Sequence, residues 1–170
     1  MAITTTSGHG ASAYNFFNVS EVYVGIGRTS PWDDELNPPA PDINDSELDE
    51  LIGLKKVETR YMVVPDAAGS IIYRDTRWRP ISADIETIRN EGCKWVYIEA
   101  HINYDELPLS AFRQVGIFSH ITKADGVPVG QFNLLPSEVD DLGFLEVIDN
   151  RTVVTRQLDQ RETITMVMEF

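Results

Sequence analysis

The sequence is poor in cysteine and histidine, the residues that most often bind metals or take part in catalysis. Among 170 residues it has one cysteine, Cys93, which excludes an internal disulfide and a zinc site of the paired-cysteine type. A single thiol fits a protein that is made and kept in a reducing cytoplasm. Its three histidines lie on unrelated segments, without the spacing of metal ligands. The N-terminus has no basic stretch before a long apolar run, so neither export nor a membrane anchor is expected.

Basic residues are also scarce. The chain has 14 lysines and arginines against 27 acidic residues, a net charge of −13, which disfavours binding to nucleic acid through phosphate contacts. Residues 1–50 hold one basic residue, Arg28, against nine acidic ones, so the N-terminal third is the acidic end. This acidity indicates either a solvated surface or a face attracted to a basic neighbour.

Complete catalytic patterns are missing. Gly25 and Gly27 begin a GxGxxG pattern, but Ser30 stands at the third position and Pro31 follows, so no helix can open there to hold a nucleotide. The two glycines instead indicate a close backbone approach or a bulge. Cys93 lacks an activating neighbour other than a lysine and is interpreted as structural. We therefore expect no enzymatic activity and no cofactor.

Two other chemical patterns are weak. Glu99 and His101 share one face of a predicted strand, which allows a histidine and carboxylate pair but is common in half-exposed strands. The acidic runs 33–35 and 140–141 lack the spaced oxygen ligands of a calcium loop and are interpreted as solvated loops. A hydrolase with a carboxylate or metal site remains an alternative, and the abundance of acidic residues is its only support.

Hydrophobic alternation predicts many short strands. Two helices are predicted, one beginning at Asp45 or Ser46 and ending at Gly53, and one over Ser82 to Gly92. A helical turn is expected near residues 136–142. The predicted strands are residues 22–27, 55–64, 70–77, 94–103, 113–122, 127–135, 144–148, 152–156 and 163–170, with turns at 65–69, 123–126 and 149–150. Strands 113–122 and 127–135 are expected to pair about the turn at 123–126.

These elements indicate a mainly β, α+β fold. The simplest arrangement is an antiparallel β-sandwich-like domain with two or three short helices and a long proline-rich loop. By length the chain forms a single β-rich domain over residues 14–170, and residues 1–13 are expected to be a flexible N-terminal segment. Strand 94–103 has large side chains on both faces, so a second element or subunit is expected to cover its outer face.

The most unusual stretch is Val22 to Asp42. A strand ending at Gly27 leads into residues 28–45, where four prolines hold the chain extended and irregular. A loop of this length is typically functional or a contact surface. Trp32, beside Asp33 and Asp34, is predicted to be an apolar anchor with an acidic rim that docks on a partner.

Three stretches of the chain carry recognisable patterns: GIGRT-PW-DE-NPP-P within residues 23–42, FRQVGIF at 112–118, and residues 143–170. Together they resemble the baseplate wedge subunit family of contractile-tailed bacteriophages. The resemblance implies a non-enzymatic structural protein of the virion, located in the tail baseplate and assembled in the host cytoplasm. Its implied partners are other baseplate or tail proteins, together with self-association, and neither nucleic acid nor a membrane.

The predicted interaction residues lie in the loop and in the C-terminal stretch. In the loop, Arg28 is a charge-assisted donor and the prolines limit the entropy lost on docking. In the C-terminal stretch, arginines recur every five residues, as surface charges or as counter-charges for a neighbour's acidic loops. The full set is Arg28, Trp32, Asp33, Asp34, Pro38, Pro39, Arg151, Arg156 and Arg161.

One alternative function stays open beside the structural one. An accessory binding module, for fibre attachment or carbohydrate binding, would use exposed aromatic side chains to stack on sugars. The candidates for that stacking are Trp32, Trp78 and Trp95.

Overall fold

The computed structural model describes residues 1–170. With 41% of residues in mostly antiparallel strands and 13% in helices, it confirms the prediction of a mainly β fold. The helices are α1 (Thr6–Phe17), α2 (Ile85–Glu91) and a 3-10 helix (Pro136–Glu138). The strands are β1 (Val22–Gly27), β2 (Gly53–Lys56), β3 (Thr59–Pro65), β4 (Ile71–Tyr73), β5 (Thr76–Ile81), β6 (Trp95–Ile102), β7 (Ala111–Ser119), β8 (Thr122–Lys123), β9 (Asn133–Leu134), β10 (Val139–Asp141), β11 (Phe144–Thr155) and β12 (Glu162–Glu169).

The chain folds as two compact units. Unit 1 comprises Met1–Ser20, Glu58–Glu99 and Thr165–Phe170, and unit 2 comprises Glu21–Val57 and Ala100–Ile164. Two five-stranded sheets have the orders β11-β7-β1-β2-β9 and β12-β6-β3-β5-β4, and β10 pairs with β8 in a two-stranded sheet. The single domain over residues 14–170 stays a prediction, and both units contain residues from this range.

The core of unit 2 forms around β1, which has its predicted bounds and is buried along its whole length. It pairs with β2 on one side and with β7 on the other. Gly25 lies opposite Gly116, and a Cβ at Gly25 would come within 2.6 Å of the Phe118 ring. At Gly27 a Cβ would lie 2.7 Å from the Asp49 carbonyl oxygen. The two glycines therefore allow the close approach that the sequence indicated.

Unit 1 contains both α-helices. Thr5 caps α1 by accepting a hydrogen bond from the Gly8 amide, and Phe16 of the helix packs against Phe170 at 5.1 Å between ring centroids. Residues 6–13 were expected to be flexible. They are helical instead, because the cap satisfies an amide at the helix start and one face of the helix, with Gly10 and Ala13, is buried.

Helix α2 lies in the predicted region. Its cap is Asp84 rather than Ser82, since the Asp84 carboxylate accepts from the Thr87 amide at 2.8 Å. Gly92 ends the helix with a positive φ of 61°, as its position predicted.

The predicted helix over residues 45–53 does not form. The backbone there bonds to other parts of unit 2: the Arg28 amide donates to the Asp49 carbonyl, and the Asp49 amide donates to Gln114 Oε1 at 2.8 Å. These tertiary partners replace the hydrogen bonds of a helix turn. Glu50 also takes a positive φ of 46°, which is incompatible with a right-handed helix.

Two strand predictions near the C-terminus were also wrong. Asp149 and Asn150 were expected to form a turn, but they pair with β7 inside the continuous strand β11, and register shifts absorb the irregularity. Residues 127–135 were expected to pair with the strand at 113–122. Only β9 forms there, and it pairs with β2, because β1 and β11 already occupy both edges of β7.

Candidate interaction site

The proline-rich loop begins with a sharp change of direction at Arg28. This residue has a positive φ of 56° directly after β1, and its guanidinium lies 3.8 Å from the centroid of the Trp32 ring. One guanidinium nitrogen also forms an ion pair with Asp49 at 2.5 Å. Arg28 is thus engaged within its own chain, as a cation stacked on an aromatic ring.

Glu50 binds the start of the loop. Its carboxylate accepts from the Thr29 amide at 2.7 Å and the Ser30 amide at 2.9 Å, and from both hydroxyl groups. The hydrogen bonds from Ser30 and Thr29 lower the pKa of Glu50 to about 2, because they stabilise the ionised form. A carboxylate about twenty residues away in sequence therefore fixes residues 29 and 30.

Arg113 of β7 binds the next part of the loop. This buried arginine donates through Nε to Glu35 Oε1 at 2.8 Å, and another of its guanidinium nitrogens donates to the Thr29 carbonyl at 2.5 Å. The Arg113 guanidinium lowers the pKa of Glu35, chiefly through that hydrogen bond. The acidic run 33–35 is consequently divided, since Glu35 is paired while Asp33 and Asp34 are exposed.

Trp32 does not have the exposed position predicted for it. Only 8% of its surface is accessible, and its indole nitrogen donates to the Arg151 carbonyl oxygen at 2.8 Å. The buried ring fixes the loop against β11 of the same chain. The local sequence does not show this position, because the hydrogen-bond partner Arg151 lies 119 residues away in the chain.

A series of side-chain hydrogen bonds continues along the loop. Gln114 of β7 accepts from the Asp49 amide and donates to Asn150 Oδ1 at 3.0 Å. Asn150 in turn donates to the Pro39 carbonyl oxygen at 2.9 Å. The loop is thereby held at residues 28–32, at Glu35 and at Pro39.

The outer part of the loop is exposed. Leu36 and Ile43 are 83% and 98% accessible, and Pro39 is exposed while Pro38 is half-buried. Asp34 organises a turn by accepting from the Leu36 amide at 3.0 Å and from the Asn37 side chain, and these bonds lower its pKa. The site therefore combines a fixed base with exposed apolar and acidic side chains.

The three C-terminal arginines have different environments. Arg156 is 5% accessible and donates to four backbone carbonyls of the segment 103–108, at 2.7 to 3.1 Å. Arg151 pairs with Asp149 at 2.8 Å. Arg161 is exposed. A surface role for Arg156 is therefore wrong, because its charge is buried among carbonyl oxygens.

Sequence reasoning did not select Glu50, Arg113, Gln114 or Asn150 as site residues. Arg113 and Gln114 lie in the FRQVGIF stretch, which pointed to that strand without assigning a role to either side chain. Nothing local marks Glu50 or Asn150, since their partners are far away in sequence.

The other chemical candidates from the sequence, Glu99, His101 and Cys93, do not lie together in one site. Tyr97 donates to Glu99 at 2.7 Å, and His101 lies 3.0 Å from the Thr163 hydroxyl. Burial raises the pKa of the Cys93 thiol. No group of three or more histidine, cysteine or acidic side chains lies close enough to hold a metal ion. None of the helices has the length and apolar character that crossing a bilayer requires.

The carbohydrate-binding alternative assumed three exposed tryptophans, and two of them are not exposed. Trp32 and Trp78 are both buried, and Trp95 is half-buried. The Trp78 and Trp95 rings contact each other edge to face, with centroids 5.7 Å apart. A stacking surface for sugars needs exposed ring faces, which the two buried tryptophans do not offer.

Comparison with known proteins identifies the family. The model of the family described as "Baseplate wedge 3 tail fiber network component" matches residues 1–170. The chain is also 34% identical over 179 residues to "Virion protein 3" of Enterococcus phage phiEF24C, an alignment that covers 99% of this chain and 96% of the relative. These matches agree with the resemblance seen in the three sequence stretches. The chain therefore belongs to the baseplate wedge 3 tail fiber network component family of phage virion proteins.

Proposed function

We propose that this chain is a structural subunit of the baseplate wedge that contacts neighbouring tail proteins through the outer part of loop 28–45. The observation that carries the proposal is the combination of a fixed loop base, held by Trp32 and by the pair Arg113–Glu35, with a highly exposed tip. A loop that is already ordered loses less conformational entropy on docking than a mobile one.

The exposed side chains define the contact surface. Asp33 and Asp34 supply negative charge, Leu36 and Ile43 supply apolar area, and Arg161 is a separate exposed cation in the C-terminal stretch. Arg28 and Trp32 are not part of this contact surface; their contacts within the chain hold the loop in one conformation. A neighbour that offers a basic rim around an apolar depression would complement this surface.

The chain acts by assembly and not by catalysis. The net charge of −13 supports partners other than nucleic acid, and we propose that it associates with further copies of itself as well as with other tail proteins. We further propose that it assembles in the host cytoplasm and needs no membrane. The lone cysteine is compatible with that compartment.

Cross-linking of intact particles tests the contact surface. The loop contains no lysine, so a carboxylate-reactive cross-linker is suitable for Asp33, Asp34, Asp42 and Asp45. We expect cross-links from these residues to other tail proteins, and none from the solvated control residue Asp125. Quantitative mass spectrometry of the same particles measures copy number. A low, fixed ratio to the tail-sheath protein supports the wedge role, whereas absence from particles contradicts it.

A further inference from the structure

A groove of about 530 Å³ lies between helices α1 and α2 of unit 1. Ile85 and Ile88 of α2 line one side, and Gly10 and Ala11 of α1 line the other. A Cβ at Gly10 would come within 2.8 Å of the Cys93 carbonyl oxygen, so this glycine allows α1 to lie close to the residues that follow α2. Ile85 is 60% accessible although it is apolar. The groove is therefore open and has an apolar lining.

Arg89 lies on the same groove and is unpaired. Among the 14 basic residues, only Arg89 and Arg161 have side chains that form no hydrogen bond, ion pair or ring contact within the chain. Arg89 is exposed in the last turn of α2, so its charge can reach a partner that docks in the groove. Its charge favours an occupant that combines an apolar side chain with carboxylates.

The tip of the loop has this composition. Ile43 is 98% accessible, more than any other large apolar side chain except the terminal Met1. It is held in a turn in which the Asn44 amide donates to Asp42 at 2.8 Å and the Asp42 amide donates to Asp45 at 3.0 Å. The turn presents one apolar side chain between two carboxylates. Leu36 is less suited, because the neighbouring Glu35 is already paired with Arg113.

We propose that Ile43 of one copy inserts into the groove between α1 and α2 of a second copy, where Arg89 pairs with Asp42 and Asp45. This inference rests on the proposed function, since it names the partner of the same exposed loop. The two surfaces differ, so the contact either occurs twice, in a dimer whose copies exchange loops, or links copies head to tail as a ring or an open chain.

Sedimentation velocity of the full chain over a range of concentrations tests the proposal. Ile43→Lys and Arg89→Glu should each weaken self-association by about tenfold or more, because the first places a second cation beside Arg89 and the second places a carboxylate against Asp42 and Asp45. The matched controls are Val129→Lys, at an apolar position that is 87% accessible, and Arg74→Glu, at an exposed arginine; both residues lie outside the loop and outside the groove. These controls should associate like the wild type. Equal weakening by the controls, or a chain that stays monomeric at every concentration, would overturn the proposal.

Disulfide trapping tests the geometry. Ile43→Cys protein mixed with Ile85→Cys protein should form the mixed disulfide under mild oxidation, whereas Leu36→Cys mixed with Ile85→Cys should not. The natural Cys93 is buried and does not compete. If Ile85→Cys in particles instead links to a different tail protein, this inference is wrong, while the proposed function stands. Absence of the chain from particles would contradict the proposed function itself.

Discussion

Replacement of Trp32 by alanine tests whether this side chain holds the loop against its own chain or docks on a partner protein. The structure buries the ring, stacks Arg28 on it and bonds its indole nitrogen to Arg151. Burial of a large aromatic side chain removes about 150–250 Å² from water, and at roughly 25 cal/mol per Å² this gives an upper limit of about 4–6 kcal/mol. The loop can detach locally, so we expect Trp32→Ala to lower the free energy of unfolding by about 3 kcal/mol.

Urea denaturation followed by circular dichroism measures this loss. Hydrogen exchange at the Thr29 and Ser30 amides, which are bonded to Glu50, should quicken in the same variant because the loop base is released. Trp32→Phe is the matched control: it keeps a ring for Arg28 and loses the indole N–H, for a cost of about 1 kcal/mol. If Trp32→Ala stays within about 0.5 kcal/mol of the wild type and instead weakens association, the internal role is refuted.

Three further predictions concern buried or paired groups. Arg156→Glu should lower the free energy of unfolding by at least about 3 kcal/mol, because it leaves several buried carbonyls without a donor and adds a buried negative charge; an unchanged melting temperature would contradict this. Glu50 contributes stability that is present above its ordinary pKa of 4.5 and is lost as pH falls toward about 2, so Glu50→Gln should destabilise the protein at pH 6 and approach the wild type at pH 2. Glu47→Gln, at an exposed carboxylate nearby, is the control, and urea midpoints across this pH range give the comparison. Cys93 should react with a thiol reagent only at the rate at which the fold opens, because it is buried and its pKa is raised; rapid modification of the native protein would show an accessible thiol.

Elements with a strong local pattern were predicted well. Strand β1 has the predicted bounds, and β6 and β12 differ from their predictions by one residue at each end. Their alternation of apolar and polar residues is a local property of the sequence and does not depend on which strand lies beside them. Helix α2 was found for a similar reason, since a capping side chain and the terminal Gly92 are local signals.

The errors fall where distant residues compete with local preference. The helix expected at 45–53 gives way to contacts with Arg28, Thr29 and Gln114. Helix α1 was missed because its residues have weak helical patterning, and its stability comes from Thr5 capping and from packing of Phe16 on the C-terminal Phe170. The contact between Phe16 and Phe170 cannot be inferred from a window of sequence.

The sequence alone determined the mainly β character, the acidic surface, the rigid loop and the family resemblance, because composition, alternation, proline content and motif are properties of the linear chain. Only the tertiary structure decided which side chains the loop offers to a partner. It buried Trp32 and Arg156, paired Glu35 with Arg113, and left Leu36 and Ile43 exposed. The physical reason is that burial and pairing depend on residues brought together from far apart in the chain, about eighty positions for Glu35 and about one hundred and twenty for Trp32.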